Sequence, residues 1–208
     1  MITRVKICGI TRDADADAVV DAGADALGLN FAPQSPRRVD VTTARRIAER
    51  VAGSVARVGL FVDAGTDAIR RVLDAVPLDL LQFHGAESGA FCRSFDMPYV
   101  KVLRVRAQLD MGELEETYGD ACCLLLDAYV PGRPGGTGER FDWSLWPRRS
   151  RLPLVLAGGL TPANVAEAIA TLEPWGVDVS GGVEGSRKGE KDPTRIREFV
   201  AEVKRARS

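Results

Sequence analysis

Two rhythms of apolar and polar residues take turns along this chain. Short runs of aliphatic and β-branched residues recur at 4–8, 26–31, 56–62, 78–83, 99–105, 122–126, 154–157 and 177–180. Their length and composition predict eight β-strands. Between them, residues 14–22, 43–51, 67–76, 163–172 and 193–205 place apolar side chains three and four apart. That spacing predicts helices with one buried face. Thr42, Thr161 and Asp192 stand where a side-chain oxygen would cap such a helix. Pro162 and Pro193 fall where a first turn tolerates a missing N–H. The units after the fourth and sixth runs have the weakest helical pattern, and 141–146 predicts no more than a turn or two.

Strand and helix alternating eight times predict parallel pairing through right-handed crossovers. Runs such as Cys123-Leu124-Leu125-Leu126 and Leu154-Val155-Leu156 are apolar on both faces, as strands covered on both sides must be. Eight units close most simply into one parallel (β/α)8 TIM barrel, a single domain over residues 1–208. An open doubly wound sheet would gather its ligand at one switch point. Here polar or glycine-rich signals follow nearly every strand, and only a barrel brings them all to one mouth.

Composition narrows the class. With 45% hydrophobic residues, 27% charged residues and a formal net charge of −1, the 208-residue chain reads as soluble and globular. Lysines and arginines are scattered, so no nucleic acid partner is expected. Residues 2–7 run directly into a strand pattern with no signal-like segment or long apolar span, so neither secretion nor a membrane is expected. Cys8, Cys92, Cys122 and Cys123 lack metal-pair spacing, and a reducing cytoplasm is the expected setting.

The strand ends carry the candidate chemistry: Cys8, Asn30 with the loop 33–38, Asp63, Gln82 with His84, Arg104, Asp127, Gly158 with Gly159, and Asp178 with Ser180, Gly181 and Gly182. Alone, each has a plainer reading. A cysteine at a strand end is more often core than catalyst, and a single buried histidine is usually structural. Asp63 most simply caps the next helix, while Arg37 and Arg38 would sit in a solvated loop. Cys92 reads as helix packing, Cys122 and Cys123 as strand filling. The two Gly-Gly stretches at adjacent strand ends are harder to set aside. Loops after the seventh and eighth strands are where such barrels bind phosphate, and glycine lets backbone N–H groups approach it.

Several segments resemble the phosphoribosylanthranilate isomerase family of tryptophan biosynthesis. They include Lys6-Ile7-Cys8-Gly9-Ile10-Thr11, Ser35-Pro36-Arg37-Arg38, Gln82-Phe83-His84-Gly85, Leu125-Leu126-Asp127, Gly135-Gly136-Thr137-Gly138, Phe141-Asp142-Trp143, Ala157-Gly158-Gly159-Leu160 and Asp178-Val179-Ser180-Gly181-Gly182-Val183-Glu184. They follow the family's order over essentially the whole chain. One departure is Gly181, where the family more often has a serine; a hydroxyl is lost and the backbone N–H remains.

The resemblance implies an Amadori rearrangement of N-(5′-phosphoribosyl)anthranilate without metal or organic cofactor. It implies Cys8 as general base, Asp127 as general acid and Arg37 as partner of the anthranilate carboxylate. It also implies phosphate contacts from Gly158, Gly159, Ser180, Gly181 and Gly182, with His84 and Asp178 orienting the substrate. A phosphosugar-anthranilate partner and a monomer or homodimer are expected. At neutral pH a free cysteine is a thiol and a free aspartate a carboxylate, the reverse of what this chemistry uses. A nearby cation or helix dipole is expected to favour the Cys8 thiolate, and the active thiolate–acid pair to be a minority state.

Two rivals stay open on residues alone. Another phosphosugar enzyme would need more: several histidines for a metal-dependent epimerase, or catalytic lysines for an indole-glycerol-phosphate synthase. Here there is one histidine, and only Lys6 and Lys101 fall in the strand runs. A non-catalytic phosphosugar-binding barrel is the rival from another class, against which Cys8 and Asp127 argue.

Overall fold

A computed structural model describes residues 3–128 and 142–206. Eight parallel strands close a barrel in chain order: β1 (Arg4–Cys8), β2 (Ala26–Asn30), β3 (Ala56–Phe61), β4 (Leu80–Phe83), β5 (Tyr99–Val105), β6 (Cys123–Ala128), β7 (Leu154–Leu156) and β8 (Gly176–Val179). β8 pairs back onto β1, with Val5 beside Val177 and Lys6 beside Asp178, so no edge is left open. The helices are α1 (Asp13–Ala22), α2 (Val41–Arg50), α3 (Thr66–Ala75), α4 (Gly89–Arg93), α5 (Met111–Thr117), α6 (Val165–Leu172) and α7 (Pro193–Arg205). Among the described residues none is long and apolar enough to cross a membrane.

The alternation within each strand builds two apolar layers. Ile7, Leu27, Phe83, Leu124, Leu126 and Val179 are buried against the helices. Val100, Val102, Cys123, Leu125, Val155 and Ala157 form a second cluster inside the barrel. Each fully buried aliphatic side chain stabilises the fold by roughly 1.5–3 kcal/mol. α7 shows how sequence makes a helix here. Asp192 accepts N–H bonds from Thr194 and Arg195, Pro193 opens the first turn, and Ile196, Phe199, Val200 and Val203 form the buried stripe.

Several element boundaries differ from those the residue pattern predicts. α2 starts at Val41 and its cap is Asp40, which accepts the Thr43 N–H at 2.9 Å, not Thr42. α6 starts at Val165, so Thr161 and Pro162 precede it and Asn164 is its flanking residue. α4 is only five residues, and after β6 the described chain has a single 3₁₀ turn at Trp143–Leu145, as the weak patterns there predict. Cys122 is exposed and precedes β6, while Cys123 fills the interior as expected. Asp63 caps nothing: it sits at φ 47°, and its carboxylate accepts the Ala86 N–H, tying the loop after β3 to the loop after β4. The Gly135-Gly136-Thr137-Gly138 stretch and Phe141 lie outside the described residues.

Candidate active site

Parallel strands bring all their C-terminal ends to one mouth, and the polar residues there fall into two groups. The first is built on β1 and β8. Lys6 and Cys8 are two apart on β1 and so share the interior face. Lys6 Nζ donates to Asp178 Oδ1 at 2.9 Å, an ion pair inside the barrel with both side chains nearly buried. Asp178 therefore faces Lys6 rather than open solvent. Burial pushes the Cys8 thiol above its ordinary pKa, and Asp178 adds to the rise, while Lys6 and Lys191 oppose it. The cation expected from sequence is present, yet burial outweighs it.

The second group lies on β4, β5 and β6. Asp127 on β6 is 6% exposed, and His84 Nε2 stands 3.4 Å from its Oδ2 without hydrogen-bond geometry. Arg104 is the register partner of Asp127 across β5 and β6, and makes one long bond to the His84 carbonyl, 3.5 Å. Among the described residues Gln82 Oε1, His84 Nε2 and Arg104 Nε are buried without a hydrogen-bond partner. Such atoms cost roughly 1–3 kcal/mol each. Two of them, on His84 and Arg104, stand beside the Asp127 carboxylate, which marks this side of the mouth as built for something other than stability.

Beside the first group lies a buried network that no local sequence pattern announces. Arg37 is buried, not solvated like its exposed neighbour Arg38. Its Nε and Nη2 donate to Glu184 Oε1 and Oε2 at 2.5 and 3.0 Å, a two-point grip that fits guanidinium to carboxylate. Lys191, fully buried at its side chain, donates to Glu184 Oε1 at 3.3 Å and to the Ser180 carbonyl at 3.0 Å. Burial lowers the Lys191 pKa against the pull of Glu184. Ser180 Oγ donates to the Cys8 carbonyl at 3.0 Å, so its hydroxyl joins β8 to β1.

The two glycine stretches come together as expected. Gly158 and Gly159 both have positive φ, 86° and 66°, after β7. Gly181–Val183 form one 3₁₀ turn after β8, whose first N–H groups have no carbonyl within the turn to bond. A β-carbon on Gly182 would lie 1.8 Å from the Leu160 carbonyl oxygen, so only glycine lets the two loops touch. Asn164 holds the first loop: it accepts the Thr161 N–H at 2.8 Å and donates to the Gly159 carbonyl at 2.9 Å. The side chain that would cap α6 thus turns back to fix the glycines. Asn164→Ala is expected to cost roughly 1–2 kcal/mol by denaturant unfolding; an unchanged midpoint would remove it from this role.

Two surface hollows lie at the other, N-terminal ends of the strands, one beside Asp25, Arg57 and Asp79, the other beside Trp146, Leu154 and Trp175. Neither touches the residues above, and in barrels that face serves stability.

The family model for N-(5′-phosphoribosyl)anthranilate isomerase matches residues 5–202, from within β1 to within α7. The chain belongs to this family. An N-(5′-phosphoribosyl)anthranilate isomerase of Pseudomonas fluorescens is 55% identical over 203 residues, covering 98% of this chain and 96% of the relative. The phosphoribosyl anthranilate isomerase of Thermotoga maritima superposes with a TM-score of 0.88 at 41% identity, covering 97% and 98% of the two chains. A further phosphoribosyl anthranilate isomerase structure, in complex with reduced 1-(o-carboxyphenylamino)-1-deoxyribulose 5-phosphate, gives a TM-score of 0.84 at 39% identity, covering 97% and 98%. The chain is thus an isomerase with the family's barrel.

Proposed function

We propose that this isomerase carries out the Amadori rearrangement of N-(5′-phosphoribosyl)anthranilate with Cys8 as general base and Asp127 as general acid. The observation that carries the reading is the pairing of the two half-sites. A buried thiol on β1 and a buried carboxyl on β6 stand at one mouth, three strands apart round the barrel. A sugar bound between them meets each from a different side. Asp127 gives a proton to the furanose ring oxygen, the C1′–O bond breaks, and a Schiff base forms. Cys8 removes the proton from C2′, leaving an enolamine that tautomerises to the ketone. One proton is given and one taken, so the isomerisation is balanced.

The other residues supply binding. Backbone N–H groups of Gly159, Gly181 and Gly182 face the phosphate, favoured by the close contact of the two loops; Gly158 and Ser180 shape them. The unpaired polar atoms of His84 and Arg104 receive sugar hydroxyls beside Asp127. Arg37, held by Glu184, meets the anthranilate carboxylate with its remaining guanidinium nitrogen. Arg37→Ala is expected to raise KM roughly 10- to 100-fold, the worth of a charge-assisted bond, with kcat little changed, because it grips a group remote from the bond changes. An unchanged KM in steady-state assays would return Arg37 to a purely structural part.

The protonation states give a further test. The reaction needs the thiolate of Cys8, whose thiol form burial favours, together with a neutral acid at Asp127. Coupled groups of this kind titrate as a pair. The pH profile of kcat/KM is expected to be bell-shaped. A profile flat from about pH 3 to 10, across the ordinary values of both groups, would contradict the paired roles.

A further inference from the structure

Gly28 lies in the middle of β2, where a glycine weakens a strand unless something needs its space. It is the register partner of Cys8. A β-carbon there would stand 2.8 Å from Cys8 Sγ and 3.2 Å from Lys6 Nζ, so thiol and ammonium crowd the same point. Lys6 is in turn bonded to Asp178 on the neighbouring strand at 2.9 Å. A buried, closely spaced lysine–carboxylate pair is weak support for stability, since desolvation offsets its attraction. Its position directly under the thiol offers another use.

We propose that the Lys6–Asp178 pair is a charge device set beneath Cys8: Lys6 is a positioning residue that favours negative charge on the sulfur, and Asp178 is the counter-ion that restrains it. The proposal rests on the reading of Cys8 as base and adds what tunes it.

The charged and titratable groups round the sulfur are few. Lys6 comes from β1, Asp178 from β8 and Lys191 from the segment before α7, while Cys123 on β6 faces Lys6 and Asp178. Lys191 is already bonded to Glu184 and Ser180, which leaves Lys6 as the cation nearest the thiol that is not also tied to the Arg37 network. The signs agree with the geometry. Lys6 draws the Cys8 pKa down and Asp178 draws it up, while burial, the largest influence, also raises it. Burial works to lower the pKa of Lys6 itself, but Asp178 and Cys8 together hold it above its ordinary value.

The test is a pH titration of thiolate ultraviolet absorbance, each protein read against its own Cys8→Ala counterpart so that only this sulfur contributes. Asp178→Asn is expected to raise the thiolate fraction at neutral pH roughly tenfold, and Lys6→Met to lower it roughly tenfold, the low end for a charge this close. Lys6→Met leaves a buried carboxylate unpaired. If it does not fold, Lys6→Met/Asp178→Asn replaces it, and its thiolate must form at higher pH than in Asp178→Asn. A purely structural pair would not move the two variants in opposite directions. Shifts of one sign, or no separation between Asp178→Asn and the double variant, overturn the proposal. Turnover measured on the same proteins separates the two layers. A Cys8→Ala protein with full activity removes the base reading, whereas unmoved titrations remove only the role of Lys6 and Asp178.

Discussion

Replacing Cys8 with alanine, or Asp127 with asparagine, is expected to lower kcat by roughly 10²-fold or more while the protein stays folded, the usual worth of a positioned acid or base. Both residues are buried, so the fold must be checked beside the rate. Cys8→Ala removes one sulfur from a crowded point next to Gly28 and leaves a small void, a modest perturbation against the whole barrel core. Asp127→Asn keeps the shape and removes the proton donor. Among the described residues, its neighbour His84 stands 3.4 Å away without a formed hydrogen bond. Thermal unfolding near the parent value with turnover reduced a hundredfold is the expected pair of results. Near-normal kcat in either folded variant would remove that residue's role.

Glu184→Ala is expected to be the most damaging single change to stability. Its carboxylate is the only described partner bridging the buried Arg37 and Lys191. Removing it strands two cations, and breaking a buried pair in this way costs roughly 3–5 kcal/mol. For a chain of this size that lowers Tm on the order of 10 °C. KM should rise as well, because Arg37 loses the grip that aims it. The network also predicts a pH dependence. Burial works to raise the Glu184 pKa, but Arg37 and Lys191 hold it below the ordinary 4.5. A carboxyl whose pKa is lower folded than unfolded stabilises the fold above the unfolded value. Its contribution is complete above about pH 4.5 and fades as pH falls through the lower folded value. Denaturant unfolding at neutral and acid pH should therefore show a smaller acid loss in Glu184→Gln than in the parent. Equal acid losses would mean the network does not carry this charge.

The barrel was legible in the sequence because its strands are apolar on both faces and recur with helical stripes between them. Boundaries slipped where a side chain had two possible uses. Asp40 outcompetes Thr42 because its carboxylate reaches the Thr43 N–H, and Asn164 turns toward Gly159 instead of capping its own helix. The half-sites were legible as strand ends. The ion pairs around the first of them were not, since Lys6 meets Asp178 across 172 positions and Arg37 meets Glu184 across 147. No local pattern records such a pairing. Arg37 reads as a loop arginine between a proline and a second arginine, and nothing nearby in sequence announces that its charge is buried. Lys191 likewise looks like a solvated residue ahead of a helix cap; only the return of the chain over β8 encloses it.

The central claim is tested most directly by supplying the purified protein with phosphoribosylanthranilate generated in situ and following anthranilate-type fluorescence, with Cys8→Ala beside it. Fluorescence is expected to decay with the parent protein and to persist with the variant. Persistence with both, or equal decay with both, would contradict it.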